Sequence, residues 1–204
     1  MIPKIRHNTP MTAPAFKDSP RSSPRYDGLR VTREEYLNLS DDGYLYDMID
    51  GVLHVTPSPF ADHSRANGRF YRLLMDFVDS QKKPPGEALQ EVDVFLPDGN
   101  PDVLCPDVSF ILSENAGIIK GHIHGVPDLV CECLSDRTAK RDLGIKADRY
   151  LANGVREYWI IDARDKSIQV WYNRDNKSWE KNSGKRLESR LLPGFAIEVA
   201  GFWG

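Results

Sequence analysis

The chain has 204 residues, 40% of them hydrophobic, 10% aromatic and 28% charged. That composition excludes a wholly disordered chain and fits one globular domain plus a short extension, able to bury about 70% of its unfolded surface without a metal or disulfide staple. The formal charge of -3 excludes a uniformly basic coat for nonspecific nucleic-acid binding, while leaving room for a local groove. Three cysteines are an odd number, and Cys131 and Cys133 sit in one predicted strand, so a disulfide framework is not expected. No apolar run approaches the ~18 residues of a membrane helix, and the Pro- and Ser-rich N-terminus lacks the apolar segment of a signal peptide. The expected compartment is the cytoplasm.

Residues 1–30 carry five of the 14 prolines and six Lys or Arg against two Asp, without periodicity. They read as a disordered basic arm, with one domain over residues 31–204. Thr32 through Glu35 spell a capping box, predicting a short helix to about Ser40. Two strands, 44–49 and 52–56, flank Asp50-Gly51, a dipeptide suited to a tight hairpin. From Asp62 to Ser80, Phe70, Leu73, Leu74, Phe77 and Val78 recur at helical spacing. Strands are expected at about 88–96, 107–112 and 129–134, the last two nearly continuous apolar runs of the kind covered on both faces. A helix over 137–153, with Leu143, Tyr150 and Leu151 among its apolar positions, ends at Gly154. Strands at 157–162 and 167–173 and an apolar segment at 197–199 complete the chain. The fold class is therefore mixed α/β, in the order α-β-β-β-α-β between the hairpin and the C-terminal strands.

Glu132 stands inside Leu129-Val130-Cys131-Glu132-Cys133-Leu134, where an ionised carboxylate needs a cation, donors or a metal, or else stays protonated. Asp107 opens the neighbouring apolar run. Two such carboxylates form an oxygen-donor site suited to Mg²⁺ or Mn²⁺, with phosphate oxygens supplied by substrate and the Cys133 carbonyl as a third protein ligand. A lysine facing them would position or deprotonate an attacking water. Lys146 is the candidate, although spacing alone favours a solvated lysine paired with Asp142 one turn earlier. His63 at a helix start and Asp47 in the hairpin are secondary candidates. His122-Ile123-His124 reads as a loop without a third metal ligand.

Tyr46 to Gly51, Pro57-Ser58-Pro59 with His63, Pro106-Asp107-Val108, Pro127 through Ser135, Arg141-Asp142 through Lys146 to Tyr150, and Gly154 through Trp159 together resemble the Uma family of restriction-endonuclease-like proteins. That family is a branch of the PD-(D/E)XK nucleases, and the resemblance spans about residues 30–200. It implies the restriction-endonuclease-like αβββαβ core, with Asp107 as the motif aspartate and Glu132 as the following acid. The superfamily's usual lysine falls two residues beyond that acid, where this chain has Leu134. The family pattern places it on the next helix instead, matched by Lys146. The hairpin acid, usually glutamate in the family, is Asp47 here. The implied activity is Mg²⁺- or Mn²⁺-dependent hydrolysis of DNA by a homodimer, one copy per strand. The alternative is an inactive nuclease-fold module that binds nucleic acid or protein.

Overall fold

The computed structural model describes residues 23–97 and 99–204. Most of the expected arm, and Asp98 of one Pro-Asp pair, lie outside them. Residues 28–31, mostly assigned to that arm by sequence, hydrogen-bond along the hairpin, with Arg30 bridging Val52.

Helix α1 (Arg33–Leu37) starts at the Thr32/Glu35 capping box, both reciprocal bonds of which are present. Strands β1 (Leu45–Ile49) and β2 (Val52–Thr56) pair across Asp50-Gly51. Both turn residues have positive φ, 50° and 74°, the geometry that brings right-twisted strands together. Helix α2 (Ala61–Ser80) buries Ala66, Asn67, Phe70, Leu74 and Val78. Full burial of Phe70 and Leu74 contributes about 1.5–3 kcal/mol each.

The predicted strand 88–96 is in fact two, β3 (Gly86–Gln90) and β4 (Val94–Phe95), in different sheets. The break is Glu91, whose φ of 53° is left-handed and leaves extended geometry. Short β5 (Val103–Leu104) precedes β6 (Val108–Leu112); β7 (Ile119–Lys120) and β8 (His122–His124) precede β9 (Leu129–Leu134). The His-Ile-His stretch is thus a strand rather than a loop, with Ile123 buried. The expected single helix over 137–153 is also interrupted. It consists of α3 (Ala139–Arg141), a π-type turn over Asp142–Lys146, and α4 (Ala147–Asn153), capped by Gly154 at φ 96°. Leu143, expected on the apolar face, is exposed.

Strands β10 (Glu157–Asp162), β11 (Ser167–Arg174) and β12 (Ser178–Asn182) follow, then β13 (Arg186–Glu188), β14 (Ala196–Glu198) and α5 (Val199–Trp203). One six-stranded sheet runs β12-β11-β10-β9-β6-β3, with β9 and β10 parallel and the other pairs antiparallel. A second runs β2-β1-β5-β4-β8-β7. Alternation along β9 divides the core: Leu129, Cys131 and Cys133 join the cluster containing α2, whereas Val130 and Leu134 join that containing Tyr150 of α4. Glu132 shares the parity of the second set. Among the described residues no helix is long and apolar enough to cross a membrane.

Candidate active site

The register of β6 against β9 pairs Val108 with Cys131, so one step outward Asp107 faces Glu132 from the neighbouring strand. Directly opposed residues of an antiparallel pair project to the same face. Both carboxylates line a cleft of about 660 Å³, together with His63, Cys105, Arg141, Asp142 and Lys146.

Lys146 is only 2% exposed, so the solvated reading fails. Its Nζ is 2.5 Å from Glu132 Oε1, 3.5 Å from Asp47 Oδ1 and 3.8 Å from Asp142 Oδ1, and it donates to the Cys105 carbonyl at 3.4 Å. With an effective dielectric of ~20, attractions at these separations are about 4–7 kcal/mol each, set against a desolvation penalty of several kcal/mol per ion. Burial disfavours the ammonium, yet Asp47, Glu132 and Asp142 outweigh it and hold the Lys146 pKa well above the ordinary lysine value. Lys146 is therefore a fixed cation. An ammonium so held donates to a water or phosphate oxygen and does not serve as a general base.

Burial pushes the Glu132 carboxyl well up, and Lys146 pulls it the other way. The like charges of Asp142, Asp107 and Asp47 push in the same direction as burial, but burial dominates. Tyr150 OH donates to Glu132 Oε1 at 2.9 Å, fixing the same oxygen that meets Lys146. Asp107 Oδ2 accepts the Cys133 amide at 2.6 Å and lies 3.4 Å from His63 Nε2. Burial works against a charged His63, but its hydrogen bond and charge contact with Asp107 prevail and raise its pKa.

Asp47 is fully buried and absent from the cleft wall. Its Oδ1 accepts the Cys105 amide at 2.8 Å, and its Oδ2 lies 3.2 Å from Arg141 NH2. The hairpin acid thus stands behind Lys146 and Arg141. The structure brings together Asp107, Glu132, Lys146 and His63 at the cleft, with Cys133 contributing its amide. Sequence reasoning missed Arg141 and the binding partners of Tyr150; burial of Asp142 and Lys146 at i and i+4 was the only hint. His122 and His124 lie apart, packed on Phe95 with His122 Nδ1 3.7 Å from Asp93.

Among the described residues no three His, Cys, Asp or Glu side chains form a group able to hold a metal by themselves. Two carboxylates with oxygen donors still suit a hard cation, because Mg²⁺ is commonly held by one or two carboxylates, waters and substrate phosphate.

A mixed sheet with flanking helices, carrying two facing acids and a buried lysine at one cleft, defines a nuclease-type α/β fold. The chain belongs to the Uma2 family: the model described as "Putative restriction endonuclease" matches residues 33–200. A crystal structure from Anabaena variabilis ATCC 29413, described as a "putative nuclease belonging to DUF820", shares the fold at a TM-score of 0.71 and 17% identity, covering 85% of this chain and 97% of that one. No curated protein matches.

Proposed function

We propose that the protein is a divalent-cation-dependent endonuclease that hydrolyses DNA phosphodiester bonds. The observation that carries this reading is the Lys146–Glu132 contact at the cleft floor, beside Asp107 on the adjoining strand. Asp107 and Glu132 would hold Mg²⁺ or Mn²⁺, assisted by the Cys133 carbonyl. Such a cation supplies charge neutralisation at the phosphate and an acidified water. Lys146 orients the attacking water by donating a hydrogen bond and stabilises negative charge that develops on the phosphoryl oxygens. Glu132 and Tyr150 keep the ammonium and carboxylate in fixed register, while Asp47 fixes Lys146 and Arg141 from behind. His63, held by Asp107, is placed to pass a proton to the departing oxygen.

On duplex DNA, a two-fold pair of copies provides one site for each strand. The alternative of an inactive binding module rests on the displaced lysine, on Asp47 and on the acidic body of the chain; the Lys146–Glu132 contact supports the enzyme reading over it. The test is cleavage of plasmid and oligonucleotide DNA with Mg²⁺ or Mn²⁺, comparing wild type with Asp107→Ala. The wild type cuts and the variant does not; equal cutting by both identifies a contaminant and refutes the proposal.

A further inference from the structure

The cleft has an unused aromatic at its edge. Phe60 is 71% exposed, the most exposed large hydrophobic side chain among the described residues. It precedes α2 directly, three residues before His63, and it makes no ring–ring or cation–π contact among the described residues. A phenyl ring left in water at a surface costs apolar hydration that an ordinary linker would avoid by carrying a polar residue. Leu45, also exposed, and Tyr44 line the same cleft.

Basic groups share that cleft. Arg137 is exposed and makes no ion pair among the described residues, whereas Arg164 is tied to Asp136 and Asp162, and Arg141 to Asp47. Among the described residues Arg137 is therefore the cleft cation without a carboxylate partner, available to a phosphate. The acids and the lysine lie below. Glu132 and Lys146 are almost completely buried, and the Asp107 side chain is 15% exposed. A duplex is stiff over ~150 base pairs, so bending its backbone into a recess is costly. An unpaired strand bends freely, and its bases, no longer stacked on a partner strand, need an apolar face. A cationic groove combined with an exposed aromatic is the general means by which proteins hold such strands.

We infer that the substrate of this site is single-stranded DNA, with a base beside the scissile phosphate stacked on Phe60 and a flanking phosphate held by Arg137. This inference rests on the nuclease reading and narrows its substrate. One strand needs one active site, so on this substrate a single copy suffices.

The experiment uses the full chain and a 2-aminopurine-labelled oligonucleotide, alone or annealed to its complement. Binding is measured by anisotropy and fluorescence quenching in EDTA, and cleavage is measured separately with Mn²⁺. The single strand binds at least about tenfold more tightly than the duplex, and its fluorescence is quenched. Phe60→Ala weakens single-strand binding about 5- to 150-fold, the range expected for loss of one base–aromatic stack of ~1–3 kcal/mol. Phe60→Trp restores binding and quenching. Absence of single-strand binding, equal affinity for both forms, or unchanged affinity in Phe60→Ala overturns the inference. So does a wild-type dimer that Phe60→Ala dissociates in light scattering, because the ring is then an interface between copies. Failure of the nuclease reading has a different signature, no Mn²⁺-dependent cleavage of either form by the wild type, whatever the binding shows.

Discussion

Replacing Lys146 with methionine keeps the side chain's length and removes its charge, which isolates the electrostatic partnership at the cleft floor. The ammonium has three carboxylates within 4 Å, and removing one member of a buried charge cluster typically costs about 3–5 kcal/mol. Arg141 still compensates Asp47, so the uncompensated burden falls on Glu132 and Asp142. Glu132 loses the ammonium that opposes its raised pKa, and in the variant it binds a proton over a wider pH range. The sign follows from linkage. A carboxyl whose folded pKa exceeds its unfolded value destabilises progressively as pH rises between the two, by about 1.4 kcal/mol per pH unit. Lys146→Met in EDTA should therefore lose further stability against wild type as pH rises above the ordinary carboxylate range. Adding Glu132→Gln should recover part of the loss and flatten the pH slope, a non-additive result for residues in contact. Urea unfolding of the four proteins of this cycle at several pH values measures both effects. Parallel stability curves with additive changes would refute the account of Lys146 as a cation held by Glu132.

Further outcomes follow from the same contacts. Lys146→Ala should reduce single-turnover cleavage by about 10²- to 10³-fold, the loss expected for one charge-stabilising donor, while calorimetry still detects Mg²⁺ or Mn²⁺ binding; Glu132→Ala should lose both, and wild-type cleavage by Lys146→Ala would dismiss the lysine assignment. Glu157 is buried and accepts from Trp159 Nε1, Ser189 Oγ and the amides of Arg190 and Leu191. Glu157→Ala strands four donors and should destabilise by about 3–5 kcal/mol, with faster hydrogen exchange over residues 189–192; a loss below 1 kcal/mol contradicts this. Asp93 is raised by burial, so its charge costs stability as pH climbs above the ordinary 3.8. Asp93→Asn should flatten the stability profile just above the ordinary carboxylate range, and an unchanged profile would show that the carboxyl is not confined.

Glu132 was legible because a lone acid in a six-residue apolar run has no cheap surface explanation, and Asp107 because it opens the neighbouring apolar run. Helix α2 and the Asp50-Gly51 hairpin were legible for equally local reasons, a 3.6-residue apolar period and a dipeptide tolerant of positive φ. The break at Glu91 was not, since a non-glycine residue at positive φ leaves no compositional mark. Strands β4, β5 and β8 are only two or three residues long, too short for a period to emerge. Lys146 was ambiguous because a π-type turn displaces the helix phase by a residue and exposes Leu143 while burying Lys146. Arg141 was invisible for another reason: its partner, Asp47, lies 94 positions earlier, on the other sheet.

That long-range contact decides how the hairpin acid acts. Asp47 touches Lys146, Arg141 and the Cys105 amide but not the cleft, so it should influence chemistry only through the two cations. Asp47→Asn preserves size and an acceptor for the Cys105 amide, but turns an amide nitrogen toward a guanidinium that needs an acceptor. A buried mismatch of this kind costs about 1–3 kcal/mol, leaving a folded protein in which Arg141 has lost its anchor. Cleavage should then fall in kcat with little change in KM, and calorimetry should give wild-type affinity for Mg²⁺ or Mn²⁺. The kcat profile should also shift, because Lys146 has lost one of the carboxylates that raise its pKa. If Asp47→Asn instead abolishes cation binding as Glu132→Ala does, then Asp47 is itself a ligand and its place behind the lysine is not its place in the working enzyme.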